Sequence, residues 1–158
     1  MGELREGGLR VELPTGWDGE IYRRPGAPSS PVARDEGETT HSILHAANFA
    51  LPTERGDFGS GAVEVMKSRD VLIVLFEYHP DSVDTALFRH RGLPIPLDPD
   101  SFSLHTVQHP IEGQAGTQRF FSAGGRAFCL YVVLGSYQRR AQLVPLVNSV
   151  LQRLDFGP

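Results

Sequence analysis

Arg126-Ala127-Phe128-Cys129-Leu130-Tyr131-Val132-Val133-Leu134 is the stretch on which the reading of the fold turns. Successive side chains of a strand point to opposite faces, and here both alternating sets are apolar. A strand of that pattern needs cover on both sides. Gly135-Ser136 ends it, and the next segment carries Leu143, Leu146, Val147, Val150, Leu151 and Leu154 at helical spacing. This predicts a C-terminal helix that supplies one covering layer. Pro145 fits that helix if it falls in the first turn, where its missing N–H removes no helical bond.

Working outward, Val71-Leu72-Ile73-Val74-Leu75-Phe76 is a second strand apolar on both faces, hence central in a sheet. Leu9-Arg10-Val11-Glu12-Leu13 alternates and predicts a strand with one solvated face. Pro14-Thr15-Gly16 breaks it, and Trp17 to Arg23 reads as the returning arm of a hairpin. Ser42 to Leu51 is a further strand, with Ile43, His45, Ala47, Phe49 and Leu51 on one face. Phe102 to Gln108 and Thr117 to Ser122 are predicted as two more. Short helices are expected over Ser60 to Lys67 and over Asp81 to Phe88, the latter capped by Asp81 with Asp84 against its N-terminal dipole. Arg91 to Asp100, with Pro94, Pro96 and Pro99, is extended and irregular. Arg24 to Thr40 has no periodicity and reads as a mobile loop, the expected first site of limited proteolysis. Strands outnumber helices, and short turns favour antiparallel neighbours. The fold class expected is α+β, a single domain with a central, mostly antiparallel sheet covered by helices.

The length of 158 residues suits one domain with a sizeable core. A net charge of -4 gives no electrostatic reason to bind nucleic acid or an anionic membrane. No apolar run reaches the ~18 residues of a membrane helix, and the first residues are not those of a signal peptide. A cytoplasmic protein without membrane insertion is therefore expected. Cys129, the one cysteine, lies in the apolar strand and reads as a reduced core thiol. Lys67 is the single lysine among 15 basic residues, which suggests a GC-rich bacterial genome.

Two packing motifs resemble those of PsbP-like domains. One is the apolar strand running into Leu13-Pro14-Thr15-Gly16-Trp17; the other is the closing helix Val147-Asn148-Ser149-Val150-Leu151-Gln152-Arg153-Leu154 after a long apolar strand. That family includes an extrinsic subunit of photosystem II and a nuclear import factor that binds the GTPase Ran. The resemblance implies an α/β/α sandwich that acts by binding proteins, with no shared catalytic centre and no functional residue to carry over.

The chemistry-bearing residues form no strong motif. His41 with His45, and His105 with His109, have chelating spacing on a helix, but both pairs fall in expected strands, where four residues span roughly 13 Å. A site would need His45 and His105 on adjacent strands plus a third ligand, so no metal is expected. Gly59-Ser60-Gly61 lacks the spacing of a hydrolase elbow and ends in neither a phosphate loop nor a dinucleotide fingerprint; Ser60 or Asp57 reads as a helix cap. Phe120, Phe121 and Phe128 read as core, with no stacking platform for single-stranded nucleic acid. Arg89-His90-Arg91 and Arg139-Arg140 are basic clusters beside loops, able to engage a carboxylate or phosphate on a partner, although solvated surface charge is the plainer reading. No catalytic, cofactor-binding or metal-ligating residue is assigned. The expected function is a non-enzymatic accessory or protein-binding domain. Its surface is expected at one end of the sandwich, in Arg24 to Thr40 with Arg91 to Asp100. The alternatives are a small hydrolase using Ser60 or a histidine, and a structural subunit of a larger assembly.

Overall fold

The two strands apolar on both faces lie side by side in the middle of one sheet. In the computed structural model, which describes residues 2–25 and 40–157, β5 (Val71–Tyr78) pairs antiparallel with β7 (Arg126–Leu134) from Val71↔Leu134 to Tyr78↔Ala127. β4 (Thr40–Ala47) and then β3 (Asp18–Pro25) extend the sheet beyond β5, and β6 (Ala115–Ala123) extends it beyond β7. The five-stranded order is therefore β3-β4-β5-β7-β6, all antiparallel. Of the segment expected as a loop from Arg24 to Thr40, Arg24 and Pro25 instead end β3 and Thr40 opens β4. Its remainder, 26–39, lies outside the described residues.

Leu9–Leu13 forms β2 with the expected alternation, its three apolar residues buried. Its hairpin partner, however, is β1 (Gly2–Glu6), not the segment after Pro14. Gly7 and Gly8, both at positive φ, make the two-residue turn between them. The chain end adds β8 (Leu154–Phe156) to the other edge of β2, giving a second antiparallel sheet, β1-β2-β8.

This small sheet and α1 (Arg140–Leu151) cover one face of the large sheet together. Leu9, Val11 and Leu13 meet Leu44, Ile73, Leu75, Phe128 and Leu130 there, beside Leu143, Val144, Val147, Val150 and Leu151 of α1. The helical stripe is real but shifted. Val144 is buried where Leu146 is 42% exposed, and Leu154 has left the helix for β8. Pro145 stands in the second turn on the exposed side, and Ala141, whose carbonyl it leaves without a helical N–H donor, is likewise an exposed residue.

Among the described residues the opposite face is covered without any α-helix. Phe49, Leu51, Phe58, Ala62, Val63 and Met66, from the segment between β4 and β5, lie over Ile43, Leu72, Val74, Phe76, Tyr131 and Val133. Within it only Val63–Val65 makes a single 3-10 turn. The expected helix over Asp81 to Phe88 is two such turns, Pro80–Ser82 and Ala86–Phe88. They are separated by Asp84 at φ +61°, which no helix accommodates. The cap is His79, whose side chain accepts from Asp81 N–H.

The α+β expectation of a sheet covered by helices, and with it the PsbP-like α/β/α sandwich, is thus corrected. Among the described residues the molecule is mostly β, two antiparallel sheets with one short helix. No helix among the described residues is long and apolar enough to cross a membrane.

Phe102 to Gln108 is not a strand; only Ser103 bridges Gly116. It ends a strap that begins at Arg91, which bridges Ser122 at the other end of β6. Between these anchors Leu93, Ile95, Leu97 and Phe102 lie on the core beside α1. Asn148 clasps the strap: Leu97 N–H donates to its Oδ1 at 2.8 Å and its Nδ2 donates to the Leu97 carbonyl at 3.1 Å. Asn148→Ala strands both backbone groups and is expected to cost about 1–3 kcal/mol in a denaturant titration. Loss of less than about 0.5 kcal/mol would mean that the strap holds without its clasp.

Candidate functional site

Alternation along β4 puts His41, Ile43, His45 and Ala47 on the face away from α1. His45 is fully buried there, and both its ring nitrogens are engaged. Arg55 Nε–H donates to Nδ1 at 3.0 Å, so that nitrogen carries no proton. Nε2 then holds the proton and donates it to the Asp57 carbonyl at 2.9 Å. The Tyr22 hydroxyl lies 3.4 Å from Nε2 but donates to Asp57 Oδ1 at 2.8 Å, an oxygen that also accepts from Arg24 Nε at 3.1 Å. Arg55 spends its other donors on the Pro52 carbonyl and on Glu20 Oε1 at 2.5 Å.

The electrostatics follow from burial and from these neighbours. Burial, assisted by the Arg55 charge, holds the His45 imidazole below its ordinary pKa, although the Asp57 carbonyl pulls the other way. Burial and then the Asp57 carboxylate push the Tyr22 phenol up. A general base needs an accessible lone pair, and that of His45 is held by a guanidinium. The cluster instead ties β3, β4 and the 52–57 segment together.

His41 is also buried, packed on Phe76 with ring centroids 5.1 Å apart, and its Nδ1 has no partner among the described residues. Burial lowers its pKa against the pull of the Glu77 and Asp57 charges. For both histidines the folded pKa lies below the unfolded one, so the unfolded chain binds more protons as pH falls through the ordinary histidine value. Their stability contribution is complete above pH ~6.5 and is lost below it. Urea titrations at pH 7.5 and 5.5 should show lower stability at 5.5, with a limiting slope near 1.4 kcal/mol per pH unit for each histidine. A flat profile in the parent chain would contradict the buried neutral state.

The other expected sites are dispersed. His105 and His109 are exposed in irregular chain and not on a strand. Among the described residues no three His, Cys, Asp or Glu side chains form a group able to hold a metal ion. Ser60 belongs to a turn in which its carbonyl accepts from Gly56 N–H at 2.9 Å, and no histidine hydrogen-bonds its hydroxyl among the described residues. Neither Ser60 nor Asp57 caps the 3-10 turn after it; Asp57 belongs to the His45 cluster, and Glu64 accepts from Gly61 N–H at 2.7 Å. Cys129 is buried and burial pushes its thiol up to about 11, as a core thiol requires.

Arg89, His90 and Arg91 are exposed beside the Ser122 end of β6, where Arg91 pairs with Asp84 at 3.3 Å. Arg139 and Arg140 follow the Leu134 end of β7, and Arg140 lies 4.0 Å from the Tyr137 ring centroid. The pairing of Ala115 with Leu134 and of Ala123 with Arg126 puts these two clusters at opposite ends of the strands, roughly 25 Å apart. They make no common surface. Arg91 to Asp100 is likewise the first part of the core-facing strap, not an end loop.

Asp57 was read only as a helix cap, and the grouping of Arg55, Asp57 and Tyr22 around His45 escaped the sequence reading because they reach it from separate segments with no fixed spacing. The isolated arginine in an otherwise turn-forming stretch, Thr53-Glu54-Arg55-Gly56, was the one available signal. Compared with protein-family models, with curated proteins and with solved structures, the chain finds no match in any of the three.

Proposed function

We propose that this domain works by binding a protein partner and performs no chemistry of its own. The observation that carries this reading is the state of the His45 cluster. This fully buried histidine has both nitrogens committed, and the arginine and carboxylate beside it are committed too. A site built for a substrate leaves some of those groups aimed at empty space.

Arg89, His90 and Arg91, next to the 58% exposed Leu87, form the binding surface. Exposed guanidinium groups around an apolar side chain suit an acidic segment that carries an apolar anchor. Arg139 and Arg140, at the far end, take no part in that contact. The test is affinity capture from the native host with the parent chain and with Arg89→Glu/Arg91→Glu, followed by rebinding of the purified partner. A partner bound by the parent and weakened about tenfold or more by the double variant supports the reading. Equal capture by both, or none by either, overturns it.

A further inference from the structure

Among the described residues β1 is an edge strand whose outward backbone groups have no partner. The two-residue turn makes Glu6↔Leu9 the closing hydrogen-bonded pair of the hairpin, so Gly2, Leu4 and Glu6 direct their backbone groups to β2. Glu3 and Arg5 direct theirs away from it, and among the described residues no hydrogen bond to them is formed on that side. Their side chains share the solvent face, while Leu4 packs against the core. Within the hairpin the charges sit badly: Glu3 lies directly opposite Glu12, and Arg5 directly opposite Arg10. Arg10 is compensated by Glu3 at 2.5 Å and Asp155 at 2.8 Å, whereas among the described residues Arg5 has only a share of the same Glu3 carboxylate, at 3.5 Å.

We infer that the β1 edge is a self-association surface and that its partner is a second copy of this chain, paired antiparallel about a two-fold axis through Leu4. That register sets Glu3 opposite Arg5 of the other copy, and Arg5 opposite its Glu3. Both are outward-facing residues, so each of the two pairs exchanges two backbone bonds, as an antiparallel hydrogen-bonded pair does. Leu4 meets its own counterpart on the core side. Charged side chains on an edge ordinarily repel a foreign strand; here the Glu-Leu-Arg order makes them attract an inverted copy of themselves. The product is a continuous six-stranded sheet, β8-β2-β1 joined to its symmetry mate, with the like-charged rungs of each hairpin extended by opposite charge. The contact is isologous and closes on itself, so association stops at the dimer.

Sedimentation equilibrium between about 1 μM and 1 mM tests this, with four samples beside the parent. Glu3→Arg and Arg5→Glu should each weaken the dimer about tenfold or more, by setting like charges opposite each other. An equimolar mixture of the two should return to within about threefold of the parent, because Arg then faces Glu at both pairs. Glu3 also binds Arg10, so its reversal disturbs the hairpin itself. Arg5→Pro avoids that difficulty. The Arg5 N–H points outward, so proline leaves the β1–β2 ladder whole while removing two intermolecular bonds, and it too should weaken the dimer about tenfold or more. A parent chain that stays monomeric across the range overturns the inference. So does an Arg5→Pro chain that dimerises as well as the parent, or a mixture no tighter than its components.

Discussion

Arg126→Ala is expected to lower the unfolding free energy by about 3–5 kcal/mol. Arg126 Nε and its terminal nitrogen hold the two oxygens of Glu77 at 2.8 and 2.9 Å, with the side chains only 17% and 14% exposed. Glu77 Oε1 also accepts from the Ser42 backbone N–H at 2.9 Å, so the pair joins β4, β5 and β7. It lies under the β1–β2 turn as well. The Ser42 hydroxyl is 3.4 Å from the Gly7 carbonyl, and a Cβ on Gly8 would come within 2.5 Å of the Arg126 guanidinium. Truncating the arginine leaves the largely buried Glu77 carboxylate without its bidentate partner. Replacing both partners, as Arg126→Met/Glu77→Leu, should recover much of the loss, because the desolvation cost of the pair disappears with its attraction. Denaturant titrations of the three chains decide the matter. A single variant within about 1 kcal/mol of the parent would show that the two sheets do not depend on this junction.

The second large effect is expected at Leu151. It is buried at the C-terminal end of α1, in the cluster shared with Val11 and Leu13 of the small sheet. Leu151→Ala should cost about 2–5 kcal/mol, the transfer term plus the cavity it leaves. Val147→Ala, in the same stripe, should cost less because fewer atoms are removed. The neighbouring Gln152 is exposed, and Gln152→Ala should change stability by at most about 0.5 kcal/mol. Equal effects at 151 and 152 in urea would mean that α1 does not pack on the sheets.

These two sites also mark how far the sequence could be read. The α1 stripe was visible as spacing, yet two of its six members were misplaced. Leu154 continues the helical period, but Gln152 N–H bonds back to the Asn148 carbonyl and Arg153 N–H to that of Val150, and the chain then reverses into β8. Leu146 lies at the edge of the apolar arc, where the sheet no longer reaches it. The Arg126–Glu77 pair was invisible, since nothing in either strand names a partner 49 residues away. The same holds for the candidate site. His45 was placed on the face of its strand that carries Ile43 and Ala47, but the Arg55 that fixes its tautomer belongs to a turn whose position over the sheet no local pattern records.

What the sequence determined by itself was the identity of β2 and β7, with their bounds, and the central place of β5. Periodicity two, with one or both faces apolar, is a property of the strand alone, and a strand apolar on both faces has nowhere to go but the middle. Its partners are not such a property. The tertiary structure decided that Leu9–Leu13 would join the two chain ends in a separate sheet instead of pairing with the segment after Pro14. It also decided that the second face would be roofed by irregular chain carrying Phe49, Phe58 and Val63, where helices had been expected. Both outcomes rest on long-range burial. Any element that brings enough apolar surface over a hydrophobic sheet can cover it, so the demand for cover is written locally, whereas the choice of cover is made by the whole chain at once.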